Sequence, residues 1–378
     1  MILELVFFAA VAVILYTYAG YPIAIAILAA VAPRPARKEP VERQVTIVIV
    51  AHNGREELHA KVVSCLAQDY PSACVGILFV SDGSTDGSME VMRVFAEPRV
   101  RAVEFAQRRG KAACLNDAVA MSQGEIIVFT DVRQVLSPQA VSELVANFAD
   151  KSVGAVSGEL VFRQEGITHF GQAVDAYWKY EKFLRRAEAR FHSAIGVTGA
   201  IYAIRRDCFR PIPPDTVLDD VLIPMSTVMQ GHRVTFESRA VAYDRPSNEP
   251  RNERVRKVRT LAGNFQLIWR HPEFMLPWRN PVAFQFVSHK LMRLLVPPAL
   301  ALALGTSVAL AAHSPLFQAA LALQAALYAL AFAGLAWRSA NRLLLFRMPA
   351  TFLVLNWFVV LGFIEFAFNR KAHLWKSR

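Results

Sequence analysis

The chain has 378 residues, with 42 Lys plus Arg against 31 Asp plus Glu, a formal net charge of +11. Hydrophobic residues make up 54% and charged residues 19%, against roughly 45–50% and about 25% in soluble globular domains, which excludes a disordered chain and argues against a purely soluble one. Residues 5–33 and 294–337 contain no Asp, Glu, Lys or Arg, so the implied organisation is a polar domain between apolar, membrane-embedded ends.

Met1 to Ala32 has Glu4 as its only acid and extends about 45 Å as a helix, enough for a hydrocarbon core of roughly 30 Å. With no basic residues before its apolar run it reads as a span rather than a cleaved leader. Gly20, Tyr21 and Pro22 predict a kink in it. A Pro-rich, charged linker, Pro33 to Arg43, follows.

From Gln44 to Gly158 short β-branched runs alternate with helical patterns, which predicts a mostly parallel sheet flanked by helices. The expected strands are Val45 to Ala51, Val75 to Ser81, Val100 to Phe105, Ile126 to Thr130 and Gly154 to Ser157. The expected helices are Glu56 to Gln68, Ser88 to Phe95, Lys111 to Met121 and Pro138 to Phe148. Ligands of such sheets sit at the carboxyl ends of the strands, where Asn53, Asp82 to Asp86 and Asp131 fall. Beyond Glu159 the helical patterns lengthen, and Ala173 to Arg190 carries Tyr177, Trp178, Glu181 and Leu184 near one face, a pattern more usual for core packing than for a site.

Phe274, Trp278, Phe284 and Phe286, mixed with Pro and Arg, give residues 273–293 the composition of an interfacial segment. Leu294 to Trp337 is long enough for two spans, with a turn at His313, Ser314 and Pro315, and Met348 to Phe368 is a further apolar segment interrupted only by Glu365. The domain organisation is therefore a span (1–33), a polar domain (34–272), the interfacial segment (273–293), about three C-terminal membrane helices (294–369) and a basic tail (370–378). Basic residues stay on the cytoplasmic side. Arg34, Arg37 and Lys38, then Lys290 and Arg293, then Arg338, Arg342 and Arg347, all place the domain there. Arg370, Lys371, Lys376 and Arg378 fall on the opposite side if residues 348–368 cross, as is expected, and on the same side if those residues lie in the membrane without crossing.

The four cysteines, Cys65, Cys74, Cys114 and Cys208, show neither CxxC pairs nor metal-ligand spacing, so core thiols are expected. The positive charge matches no nucleic-acid motif and suits membrane anchoring and an anionic small substrate. Five polar clusters remain. Ser81 to Gly87 is a Gly- and Asp-rich turn, whose plain reading is a strand-to-helix connection capped by Asp86. Arg108-Arg109-Gly110-Lys111, followed by Leu115-Asn116, puts cations at the start of a helix that itself favours anions. Asp131-Val132-Arg133 ends a strand, where a carboxylate binds a metal or a sugar hydroxyl. Asp219-Asp220 opens a helix; as caps they are ordinary, but a shielded carboxylate beside another negative charge gains the proton affinity of a general base. Arg254, Arg256, Lys257 and Arg259 form either a solvated or lipid-facing surface or a clamp for a diphosphate.

In this order the clusters resemble the membrane-integrated glycosyltransferases of family 2, the group of the cellulose, chitin, hyaluronan and poly-N-acetylglucosamine synthases. The resemblance covers residues 45–270 and implies an α/β, A-type glycosyltransferase fold (a Rossmann-like mixed sheet) with flanking transmembrane helices. It implies an inverting transfer from a nucleotide-diphosphate sugar, most often a UDP-sugar, to a glycan acceptor in exopolysaccharide or cell-surface polysaccharide synthesis, at a bacterial-type inner membrane. Ala51, Asn53, Asp82, Lys111, Asp131, Arg133, Arg256 and Arg259 then hold the donor, with Asp82 reading the nucleobase; Thr198 and Gly199 hold the acceptor end; and Asp220, next to Asp219, is the catalytic base.

Two positions depart from the family pattern. Its Asp-x-Asp metal motif reads Asp131-Val132-Arg133, so either Asp131 holds Mg²⁺ or Mn²⁺ together with the diphosphate, or Arg133 itself stabilises the leaving group. Its Gln-x-x-Arg-Trp motif reads Arg256-Lys257-Val258-Arg259-Thr260, which loses the aromatic face for a sugar and suits a non-processive enzyme with a lipid-linked acceptor. The implied partners are the donor, the acceptor, membrane lipid and an export or accessory subunit. A nucleotide-binding transport or regulatory protein is the alternative of another class. Against transport, the spans lack paired broken helices and carry no acids beyond Glu4 and Glu365.

Overall fold

The computed structural model describes residues 1–95, 97–162, 169–245, 250–337 and 339–369, without the side chains of 169–178, 250–252 and 341. The side chains of Tyr177 and Trp178, together with Arg338 and the basic tail, therefore lie outside the described residues. The chain begins with helices α1 (Ile2–Leu15) and α2 (Tyr21–Val31), then runs through strand β1 (Val45–Ala51), α3 (Arg55–Leu66), β2 (Val75–Asp82), α4 (Ser88–Arg93), β3 (Val100–Phe105), α5 (Lys111–Met121), β4 (Ile126–Asp131) and β5 (Val135–Leu136). It continues with α6 (Ala140–Ala146), β6 (Val153–Phe162), α7 (His169–Phe191), β7 (Tyr202–Arg205), α8 (Asp219–Met229), β8 (Arg233–Asp244) and α9 (Pro250–Arg270). Last come α10 (Ala283–Phe286), α11 (Met292–Leu310), α12 (Pro315–Ala336) and α13 (Leu344–Phe368).

The eight strands form one sheet in the order β3-β2-β1-β4-β7-β6-β8-β5. β1 is parallel to both β2 and β4, and β7 runs antiparallel to β4. Because successive side chains point to opposite faces, the buried strand β1 feeds two cores. Val48 and Val50 pack with Leu115 of α5 and Leu222 of α8, while Ile47 and Ile49 pack with Leu58 of α3 and Leu144 of α6. Covering both faces in this way is what a parallel sheet of continuous apolar runs requires. In register, Ala51 faces Ser81 and Val50 faces Asp131, so the polar turns after β1, β2 and β4 open at one edge. Cys65, Cys114 and Cys208 are buried free thiols, as expected, and Cys74 is half-buried.

Among the described residues, four helices are long and apolar enough to cross a membrane: Ile2–Val31, Ala283–Leu310, Pro315–Ala336 and Leu344–Phe368. The first is continuous, because Tyr16–Gly20 makes a π-helical turn where a kink is expected from Gly20 and Pro22. Phe7 meets Phe317 edge-on at 5.2 Å, and Gln324 Nε2 donates to Ser307 Oγ at 2.8 Å to fasten the α11–α12 hairpin.

Residues 273–293 are less of a separate segment than their composition implies. Phe274, Val282 and Phe286 are buried in the domain core, while Trp278 stays exposed. The domain is bolted to the spans through α7. Glu188 accepts from Tyr21 Oη at 2.6 Å and lies 2.8 Å from His289 Nδ1, and Glu181 pairs with Arg293 and lies 3.2 Å from His289 Nε2. Buried charges of this kind are tolerated only when paired.

α13 is long and apolar enough to cross a membrane, and its two ends pack on different elements. Its start packs at the end of α12 nearest the domain, where a Cβ on Gly334 would lie 2.7 Å from the Phe346 carbonyl oxygen. Its end packs on α9 of the domain, where a Cβ on Gly362 would lie 2.6 Å from Leu261 Cβ and Phe265 meets Phe363 at 5.3 Å. With both ends on the domain's side, α13 would not cross. A protease-cleavable tag placed after Arg378 is expected to be cut from the same face of sealed vesicles as the linker at residues 34–43; cutting from the opposite face would show that α13 crosses.

Candidate active site

The turns at the open edge are stitched by short side chains. Asn53 adopts φ 56°, its Oδ1 accepts from the Thr85 amide at 2.8 Å, and its own amide donates to Ser84 Oγ at 3.1 Å. Gly83 has φ +63°, and a Cβ there would lie 2.8 Å from the Arg108 nitrogen, so this turn admits glycine alone. Asp82 is fully buried, and its two oxygens accept from the amides of Arg109 (2.6 Å) and Gly110 (2.9 Å). That carboxylate, expected to read a base, has both oxygens engaged by backbone and sets the approach to α5, so that Lys111 leads the helix inward.

Lys111 Nζ lies 2.9 Å from Asp131 Oδ1, at the end of β4, and 3.2 Å from Asp219 Oδ2, at the start of α8. Burial pulls this ammonium toward neutrality, but Asp131, Asp219 and Asp220 outweigh it and hold its pKa above the ordinary lysine value. A Cβ on Gly199 would lie 3.7 Å from both Asp131 Oδ2 and Lys111 Nζ and 3.9 Å from Asp220 Oδ2, so the missing side chain leaves open the space these three groups share. Burial, then the negative charge of Asp219, push the Asp220 carboxyl up to about 6, while Lys111, Arg185 and Lys290 pull the other way. Buried Arg259, from α9, feels the same three carboxylates and the like charge of Arg108.

Of the residues singled out in the sequence, the fold thus gathers Lys111, Asp131, Gly199, Asp219, Asp220 and Arg259. Thr198 is buried, with its amide on Ser157 Oγ at 3.2 Å, and the Val197 amide donates to the Asp220 carbonyl at 2.9 Å, which ties this loop to α8. Ala51 is a buried strand end. Two basic residues are employed elsewhere: Arg133 pairs with buried Asp244, and Arg256 lies 3.9 Å from Glu253 on the exposed side of α9. Sequence reasoning missed Lys61, which is wholly buried and donates to Thr130 Oγ1 and, at 2.8 Å, to the Gln134 carbonyl, fixing the Asp131 turn from beneath. Burial lowers its pKa to about 8. Arg185 and Lys290 were also missed, since they act on Asp220 through space.

A divalent ion at this centre would rest on Asp131. Arg133 supplies no second carboxylate, Lys111 occupies one oxygen of Asp131, and among the described residues no three His, Cys, Asp or Glu side chains are grouped to hold a metal ion. The residues present do not make a metal-ligand set.

Residues 46–212 match the family described as Glycosyl transferase family 2. That match covers less than half of the chain. The chain is similar to the N-acetylglucosaminyltransferase of Azorhizobium caulinodans, 28% identical over 178 residues that make up 46% of this chain and 45% of that protein. It is equally similar to the N-acetylglucosaminyltransferase of Rhizobium meliloti, 28% identical over 47% of this chain and 42% of that one, so it spans less than half the length of the relatives it matches. Among solved structures, mannosyltransferase PcManGT from Pyrobaculum calidifontis, in complex with GDP-Man and Mn²⁺, superposes with a TM-score of 0.72 at 24% identity over 97% of this chain and 99% of that one. The fold is therefore the A-type glycosyltransferase fold. Because the family 2 match stops at residue 212, Asp219, Asp220 and Arg259 enter the site on geometry.

A carboxylate whose pKa is raised on folding destabilises the native state once pH exceeds its unfolded value, and the penalty is complete above the folded one. Asp220→Asn is therefore expected to raise the apparent unfolding temperature at pH 7 and to give little gain near pH 4. Thermal unfolding of the detergent-solubilised protein at the two pH values checks this; no gain at pH 7 would count against a strained carboxylate.

Proposed function

We propose that the chain is an inverting glycosyltransferase that moves a sugar from a nucleoside-diphosphate donor to a glycan acceptor at the membrane, with its domain on the cytoplasmic face of a bacterial-type inner membrane. The observation that carries this reading is a proton-hungry carboxylate, Asp220, sharing the space beside Gly199 with the Lys111 ammonium. A base and a cation at one point are what displacement of a diphosphate by a hydroxyl needs.

Asp220 takes the proton of the acceptor hydroxyl as its oxygen attacks the anomeric carbon. The carbon–oxygen bond to the diphosphate breaks on the opposite face, its electron pair leaves on the diphosphate, and the anomeric configuration inverts. Lys111 and Arg259 stabilise that growing charge, while Asp219 and Asp131 hold Lys111 in place. Since the relatives are named N-acetylglucosaminyltransferases, UDP-N-acetylglucosamine is the first donor to offer.

A second reading, a single transfer to a lipid-linked acceptor, is favoured by Thr260, which is exposed and presents no aromatic face for a growing glycan. Product length separates the two: long polymer supports the first, one sugar on an extractable lipid the second.

Full-length protein incubated with a panel of labelled sugar nucleotides and membrane extract is expected to transfer sugar, and Asp220→Asn to lose at least about 10²-fold in rate while still binding donor. Near-normal turnover in that variant would refute the assignment. The base must be ionised, so kcat/KM should fall as pH drops below about 6 and level off above it. Asp219→Asn, which removes a neighbouring negative charge, should move that fall to lower pH; an unmoved profile would mean that another group titrates.

A further inference from the structure

Divalent ions at nucleotide sites are commonly held by one or two carboxylates together with phosphates and water. In this site Arg133 stands where a second carboxylate would be expected, and Lys111 sits on Asp131. Arg133 is turned away into its pair with Asp244, which also accepts from Gln134 Nε2 at 2.9 Å. Lys61 braces the same turn from below, so Arg133 is held in that direction. An ion bound to Asp131 Oδ1 would have to displace the Lys111 ammonium 2.9 Å away, which is also 3.2 Å from Asp219. The ammonium already occupies the oxygens of Asp131 and Asp219 that face each other, where a metal would otherwise sit.

A second observation is independent of the first. Arg108 Nε and Nη2 and Arg259 Nε are buried and have no hydrogen-bond partner among the described residues. The two guanidinium groups are also close enough to oppose each other's charge. Buried donors left without acceptors are costly, and like charges add to the cost. Both costs vanish when a ligand with several anionic oxygens lies between them, and a diphosphate is such a ligand, matched to the planar fork of arginine.

We propose that this site binds and discharges its nucleoside diphosphate without a divalent metal, with Lys111, Arg108 and Arg259 supplying the positive charge. The proposal rests on the glycosyl-transfer reading of the same site and gives Arg108 a part in it.

The test uses full-length protein in detergent, with UDP and GDP as probes and binding measured by calorimetry in EDTA and in MnCl₂. Affinity is expected to differ by less than about threefold between the two conditions, and the spin-resonance signal of free Mn²⁺ to fall no further than the nucleotide alone causes. Arg108→Ala and Arg259→Ala should each weaken binding about tenfold or more. Arg108→Lys and Arg259→Lys, checked by thermal unfolding, should recover part of the loss if the fold is intact. Binding strengthened tenfold by Mn²⁺, or arginine variants that bind normally, would overturn the proposal. If transfer runs but stops in EDTA and returns with Mn²⁺, the glycosyl-transfer reading survives and metal independence fails. If UDP or GDP binds in EDTA yet no sugar nucleotide on the panel is used, the metal-free site stands and the transfer reading falls. Binding of neither nucleotide in either condition refutes both.

Discussion

The ammonium of Lys111, shut in among Asp131, Asp219 and Asp220, is the interaction on which the rest of the site depends. A buried lysine keeps its charge only while carboxylates surround it, and these carboxylates tolerate their crowding only because the lysine is there. The partners come from α5, the end of β4 and the start of α8, three elements that the sheet topology alone brings together. Rigid placement follows, because no member of the group can move without leaving another charge uncompensated. At Asp220 the balance falls short, and its raised proton affinity is the chemically useful remainder.

That balance also explains the supporting structure. Asp82 spends both oxygens on the backbone before α5, Gly83 lets that backbone come close, and Lys61 holds the Asp131 turn from the opposite face of the sheet. Each fixes the direction of a residue at the site.

Most of the parallel half of the sheet was legible in the sequence because β1, β2 and β4 are largely apolar runs with Asn, Asp or Gly at or just after their ends, which located Asp131, while Lys111 was marked by the basic cluster that opens α5. β7 and β8 escaped notice. β8 mixes Arg, Glu and Ser with its apolar residues, and it is recognisable as a strand only from its pairing with β6. Charge partners were harder still: Arg133 looked free for the diphosphate because its partner, Asp244, lies 111 residues further along the chain. Arg185 and Lys290 act on Asp220 through space, with no sequence pattern to mark them. The four apolar helices were readable from hydropathy, but composition does not distinguish a helix that crosses from one that turns back to lie on its own domain.

Gly362 lets α13 come close against α9, where an added Cβ would lie 2.6 Å from Leu261 Cβ and 3.2 Å from the Ala262 nitrogen, and Arg259 is carried on α9 within a turn of that contact. α13 has the length and hydropathy to lie in a membrane, where a bilayer that thickens, thins or changes its lateral pressure would push on it, and its contact with α9 is a short route from there to the Arg259 guanidinium. The lipid around the protein is in this sense a mechanical input to its chemistry, so rates taken in detergent and in membranes of different composition describe differently loaded machines.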